Sequence, residues 1–234
     1  MFISRMPLNG ARPQAAAIIS SPNRMHAAVE AAFPPVVPDE ATPNGRGGRI
    51  LWRIDPIPDA GRSAWLYVVS PGRPDFTHLC EQAGWPTEGV WQTKDYSPLL
   101  DKIAEGQRWQ FRLKANPVRK VFQDKGTTSK SNVIGTIQGH VTVEQQMSWL
   151  LDRAESHGFL VCFDSEGNLQ LGVSQRGKGS FSHGKAKVTL TTAVFDGVLE
   201  IADAEAFRRT LCNGVGRAKA FGCGLITVAP LPQP

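Results

Sequence analysis

The sequence predicts an α+β fold made of two tandem ferredoxin-like units, each running strand, helix, strand, strand, helix, strand. Two observations carry this. In the first half, apolar residues switch between a two-residue and a 3.6-residue period in that order, and a second pass of the same order begins after residue 117. The predicted units are residues 1–116 and 117–234.

The elements follow from local chemistry. Residues 2–8 alternate loosely as a short strand. After a loop, Ser21 supplies an N-cap and Pro22 a first-turn proline, and Met25, Ala28, Val29, Ala32 and Phe33 then recur at helical spacing. Pro34 and Pro35 end that run, and a Pro/Gly-rich stretch to residue 48 reads as a loop. Strands at 49–55 and 64–70 flank a turn at 58–61, a short helix is expected within 74–83, and residues 109–115 alternate cleanly as the strand that closes the first unit. In the second unit, strand material at 117–122 leads to a Gly/Ser/Thr-rich loop at 126–139. Thr142 and Gln145 form a capping box for a helix carrying Val143, Met147, Leu150, Leu151 and Ala154, which Gly158 stops. A hairpin is expected from 159–164 and 169–174, as an extra strand. The basic segment 176–187 then precedes a strand at 188–195, Asp203 caps a helix bearing Ala204, Phe207 and Leu211 that Gly214 closes, and residues 225–228 form the last strand.

Composition is that of a globular protein, 41% hydrophobic and 20% charged. The N-terminus has neither a basic region nor an apolar run suited to a signal peptide, and no apolar stretch matches a membrane helix, so a cytoplasmic protein without a membrane partner is expected. Cys80, Cys162, Cys212 and Cys223 lie far apart with no zinc-type spacing. No disulfide framework, metal site or cofactor is expected.

The net charge of +5 conceals an asymmetry. Three segments, 112–130, 176–187 and 207–219, hold fourteen of the basic residues and one acid, Asp124. They include Arg112, Lys114, Arg119, Lys120, Arg176, Lys178, Lys185, Lys187, Arg217 and Lys219, and they predict a cationic face suited to a nucleic-acid backbone. Within the last segment and just beyond it, Gly214, Gly216, Gly222 and Gly224 surround Arg217 and Lys219. Glycines let main-chain N–H groups approach a phosphate closely, so this stretch is expected to bind polyanion backbone. It has neither a P-loop Gly-Lys-Ser/Thr nor a dinucleotide fingerprint. A helix stop with a tight turn would account for Gly214 alone.

Of five histidines, His26 is singled out. It lies one position off the apolar column of Met25, Val29 and Ala32, so its imidazole emerges between core and solvent. With an ordinary pKa of about 6.5, histidine both takes and gives a proton near neutrality. That suffices for RNA cleavage, because the 2′-hydroxyl is an internal nucleophile. By spacing alone, however, such a histidine is more often structural or solvated. His157 is expected to complement a helix C-terminus, His183 to meet phosphate or water, and His78 and His140 belong to no constellation.

Four landmarks taken together resemble a known family: the first strand and a helix bearing Met25-His26; the segment Phe111-Arg112-Leu113-Lys114-Ala115-Asn116-Pro117; the strand pair running into Val194-Phe195-Asp196-Gly197-Val198-Leu199; and Gly214-Val215-Gly216-Arg217-Ala218-Lys219-Ala220-Phe221-Gly222-Cys223-Gly224-Leu225. They are similar to the CasE family of CRISPR repeat-processing endoribonucleases of type I-E systems, over nearly the whole chain. The resemblance implies two ferredoxin-like domains, binding of the CRISPR repeat stem-loop, and metal-independent cleavage at its 3′ base by 2′-hydroxyl attack. It also implies retention of the mature guide RNA among the other subunits of a surveillance complex. His26 matches the family histidine credited with acid/base catalysis. Where some relatives carry a tyrosine three residues before it and a lysine five after it, this chain has Asn23 and Ala31. Asn23 and Arg24 are then candidates for contacts to the phosphoryl oxygens. The alternatives are an RNA-binding subunit that holds processed repeat RNA without cutting it, suggested by those two substitutions, and a phosphometabolite enzyme using the glycine stretch.

Overall fold

The computed structural model describes residues 1–34, 48–58, 61–85, 91–121, 135–184 and 186–232. Strand β1 (Phe2–Asn9) buries Ser4, Met6 and Leu8 on one face. Two short helices follow, α1 (Pro13–Ile19) and α2 (Pro22–Glu30), each with proline in its first turn. The first occupies a stretch that the sequence marks only as loop. In α2, the Ser21 side chain accepts from the Arg24 N–H, as its N-cap role requires. Strands β2 (Leu51–Pro56) and β3 (Ser63–Ser70), helix α3 (Thr77–Ala83), strand β4 (Gln92–Asp95) and helix α4 (Ser97–Lys102) complete the first half. The sheet order is β2-β3-β1-β4, antiparallel throughout, which is the ferredoxin-like arrangement. Helices α1 to α3 cover one face through Met6, Leu8, Met25, Val29, Leu66, Val68, Phe76 and Leu79.

The second half repeats the plan. Its elements are β5 (Arg108–Ala115), a small ribbon of β6 (Val118–Lys120) and β7 (Ile137–Gly139), α5 (Val143–Ala154), β8 (Phe159–Val161), β9 (Leu171–His183), β10 (Ala186–Ile201), α6 (Ala204–Asn213) and β11 (Ile226–Pro230). The order β11-β5-β10-β8 matches the first sheet when its four framework strands are counted in sequence, and β9 pairs with β10 beside that path. The capping box at Thr142 and Gln145 forms, Gly158 stops the helix with φ 82°, and the Asp203 side chain caps α6.

Several expectations are corrected. The strand at 109–115 does not close the first unit; β5 pairs with β10 and β11 and lies inside the second sheet. By sheet membership the chain changes over between β4 and β5, not at 116–117. The strand that does close the first sheet, Gln-Thr-Lys-Asp, is an edge strand with no apolar alternation, so nothing in its sequence announces it. The expected 159–164/169–174 hairpin shrinks to one bridge, Phe163 to Leu169, because β8 and β9 both pair with β10. The basic segment 176–187 is not a lead-in to a strand; most of it is the far half of the long β9–β10 ribbon.

The open face of the first sheet meets the second half. Leu51 and Val69, register partners on β2 and β3, enter the cluster built on Leu113, Phe195 and Leu225. No helix among the described residues is long and apolar enough to cross a membrane.

Candidate active site

Helix α2 turns Met25 and Val29 into the core. His26, the next position along from Met25, is left at the rim with 27% of its side chain exposed. Its Nδ1 is buried and has no hydrogen-bond partner among the described residues. One turn later the Glu30 carboxylate stands 3.7 Å from Nδ1, too far for a hydrogen bond but close enough to attract an imidazolium. With Nδ1 enclosed, proton exchange with a ligand has to run through Nε2.

A neighbouring ring comes from the glycine stretch. Residues Lys219–Phe221 form a 3-10 turn whose Phe221 ring lies edge-on to His26, centroids 6.0 Å apart at 72°. Phe181, on β9, sits edge-on to Phe221 in turn, at 4.9 Å. Three rings, 26, 221 and 181, thereby join the first half's second helix, the glycine stretch and the ribbon's outer half.

The glycines prove to be packing devices. Gly222 has φ 76°, and a Cβ there would stand 2.5 Å from Trp52 of β2, whose indole N–H donates to the Ala220 carbonyl. Gly216 has φ 77° and its missing Cβ leaves room for Trp149 of α5. Main-chain N–H groups of Gly214, Val215, Phe221 and Gly224 donate to the carbonyls of Thr210, Gly224, Ala218 and Lys114. These four donors of the expected cradle are committed to the protein's own backbone, and through Trp52 and Trp149 the stretch packs against both halves. Gly222→Ala should destabilise the fold by about 1–3 kcal/mol, since it combines left-handed backbone with a clash. Thermal unfolding checks this, and an unchanged midpoint contradicts the packing role.

The predicted cations divide by environment. Arg112 is held by Asp196 through two bonds of 2.6 and 3.1 Å, which raise its pKa further, so it is a sheet brace and not an open contact. Arg176 donates from Nε to Gln146 Oε1 at 3.0 Å and from Nη2 to the Val141 carbonyl, anchoring the ribbon to the start of α5. Arg208 donates to the carbonyls of Leu100 and Ile103, and Arg209 pairs with Glu205. These four are engaged because each guanidinium finds acceptors close by in the folded chain, something charge counting cannot see. Lys114 is half-buried on β5, near the Cys223 thiol, whose pKa burial pushes up to about 11 against the opposing effect of the Lys114 charge. Exposed positions are Arg24 on α2, Arg119 and Lys120 on β6, Lys178 and Lys187 on the ribbon, and Arg217 on the glycine stretch. Lys185 lies outside the described residues, as does the side chain of His183.

Register separates the two faces of the ribbon. Phe181 opposes Val188 on the face toward Phe221, whereas Lys178 opposes Thr191 and Lys187 opposes Ser182 on the other. The structure therefore brings Phe181 to Phe221, the ring that packs on His26, and leaves the two lysines exposed on the other face of the same ribbon. On α2, Asn23 is three residues from His26 and shares its face. Arg24 is two residues away and does not, so its side chain leaves in another direction. His78 bonds the Ala28 carbonyl through Nε2 at 2.9 Å, joining α3 to α2. His157 bonds Thr210 Oγ1 at 3.0 Å.

Glu30, Phe181 and Phe221 are the site residues that sequence reasoning missed. The i,i+4 spacing of His26 and Glu30 is a usable signal. No local pattern links residues 181 and 221 to residue 26.

Comparison with known proteins identifies the family. The profile of a family described as CRISPR associated protein matches residues 1–230. A relative from Thermus thermophilus, named CRISPR-associated endoribonuclease Cse3, is 29% identical over 237 residues, covering 98% of this chain and 100% of its own. The CRISPR system Cascade subunit CasE of Escherichia coli is 28% identical over 185 residues, covering 77% of this chain and 89% of its own. A solved structure of Thermus thermophilus Cse3, bound to an RNA representing a pre-cleavage complex, superposes with TM-score 0.73 at 26% identity, covering 98% of both chains.

Proposed function

The chain belongs to the CRISPR associated protein family and is of the CasE type, and from this we propose that it is an endoribonuclease that binds and cuts the CRISPR repeat stem-loop. In this reading it then stays with the mature guide RNA, alongside the other subunits of a type I-E surveillance complex in the cytoplasm. The names of its relatives support the cutting of RNA and the place in a complex: one is an endoribonuclease with a pre-cleavage RNA complex, another a Cascade subunit. The observation that carries the reading is His26, whose Nδ1 is enclosed beside Glu30 and Phe221 and whose Nε2 is left for a ligand.

The chemistry follows from what these side chains can do. The 2′-oxygen next to the scissile bond attacks phosphorus while Nε2 takes its proton, the P–O5′ bond breaks and the leaving 5′-oxygen takes a proton from water, and a 2′,3′-cyclic phosphate remains. Glu30 stabilises the imidazolium that forms, modestly because it is half exposed. Phe221 and Phe181 fix the ring's plane and exclude water from one side. Asn23, on the same face, has an amide that can donate to a phosphoryl oxygen but cannot titrate. Lys178, Lys187, Arg119, Lys120 and Arg217 offer exposed charge to the RNA backbone. A-form RNA presents shape and phosphates more readily than base edges, so such contacts suit a stem.

Asn23 and Ala31 in place of titratable side chains favour a second reading, a subunit that holds repeat RNA without cutting it. Incubating the purified chain with repeat stem-loop RNA in EDTA separates the two. One cut at the 3′ base of the stem is expected; a mobility shift with intact RNA would establish the binding-only reading.

A further inference from the structure

Beside the glycine stretch, between it and α6, lies a pocket of about 270 Å³. Ser156, His157, Arg209, Thr210, Asn213 and Lys219 contribute its polar lining, and no carboxylate is among the described residues that line it. Lys219 is half-buried there. Burial pushes its pKa below the ordinary lysine value, and the nearby charge of Arg49 adds to this. His157 is pushed down in the same way, by burial first and then by the charges of Lys219 and Arg153. Lys219, Arg209 and His157 thus converge on a partly enclosed space, where burial disfavours the charged forms of Lys219 and His157. One nearby acid, Glu205, is engaged by Arg209 on the exposed flank of α6.

Such an arrangement is costly for the empty protein and is relieved by a bound anion. We propose that this pocket holds a phosphate group, contributed by the backbone of the bound RNA beside the cleavage point. Its size is below that of a typical organic ligand site and ample for a hydrated phosphate. Lys219 supplies a point charge, Arg209 and Asn213 supply at the rim the N–H donors left after their bonds to Glu205 and to the Arg209 carbonyl, and Thr210 orients His157 through the Nδ1 bond, leaving Nε2 for a ligand. Position supports the RNA as the source. Lys219 and Phe221 are two residues apart on one 3-10 turn, their Cα atoms no more than about 7 Å from each other, and Phe221 is the ring against His26. One turn therefore carries both the lysine of the pocket and the ring against His26, which puts the pocket next to the turn that packs on the proposed cleavage site.

The assignment of RNA rests on the proposed function, whereas the pocket's affinity for phosphate does not. The test is to measure repeat stem-loop binding against salt for the parent, Lys219→Gln and Lys219→Arg, with inorganic phosphate titrated calorimetrically into each. Loss of one phosphate contact should weaken RNA binding about tenfold and flatten the log–log salt slope by about 0.7 to 0.9 in Lys219→Gln, with Lys219→Arg close to the parent. An unchanged slope and affinity in a folded Lys219→Gln protein that still binds RNA would overturn the proposal while leaving the endoribonuclease reading intact. Saturable, Lys219-dependent binding of inorganic phosphate by a parent chain that does not bind stem-loop RNA would overturn the RNA assignment and the endoribonuclease reading together.

Discussion

Replacing His26 with alanine should leave repeat stem-loop binding within about twofold of the parent and slow single-turnover cleavage by about 10²- to 10⁴-fold, the usual contribution of one positioned acid/base group. Among the described residues of α2 that share the His26 face, Asn23 does not titrate and Glu30 lies on the Nδ1 side, so neither replaces Nε2. The imidazole also contributes little to the core, being one position off the buried column, so the variant should fold. Single-turnover assays in EDTA with saturating protein measure the chemical step free of product release. Cleavage at the parent rate would remove His26 from the mechanism. A loss of binding matched by the loss of cleavage would make it a contact for RNA instead.

The largest expected effect on stability is at Arg53. Its side chain is 3% exposed, and its Nε and Nη2 bond the Asp55 carboxylate at 2.8 to 3.0 Å. The same guanidinium donates across to the second sheet: Nη1 to the Arg112 and Leu225 carbonyls at 2.8 and 3.1 Å, and Nη2 to Thr227 Oγ1 at 2.9 Å. It also lies over the Tyr67 ring, 5.6 Å from its centroid. Arg53→Met strands a buried carboxylate and several acceptors, and should cost about 3–5 kcal/mol. For a chain of this size that lowers the unfolding midpoint by about 10 °C. Arg53→Met with Asp55→Leu should recover part of the loss, because no unpaired charge then remains. A single variant within about 1 kcal/mol of the parent in urea unfolding would show that the two sheets are not held by this pair. Arg53 escapes the charge analysis because it stands in an ordinary strand sequence, outside the three basic segments.

The candidate site is half legible in the sequence. The positions of Met25 and Val29 place His26 at a helix rim, and its role comes from the resemblance of the flanking residues to the CasE family. The glycine stretch stands out as well, but its work does not. A positive φ and an absent Cβ serve a phosphate or a tryptophan equally well, and only the fold puts Trp52 and Trp149 against Gly222 and Gly216. Arg112 and Arg176 read as open charge for a similar reason: Asp196 and Gln146, which hold them, are 84 and 30 residues away.

The sequence by itself determined the helix starts at Ser21, Thr142 and Asp203, the stops at Gly158 and Gly214, the repeated α+β order and the family. Each of these is written in residues a few positions apart, or in a motif kept together along the chain. Tertiary structure decided which sheet β5 joins, where the first sheet closes, which acceptors hold Arg112 and Arg176, and that residues 26, 181 and 221 come together. Those outcomes depend on long-range packing, where strands choose partners by buried area and side chains choose acceptors by proximity, and no local period encodes either choice.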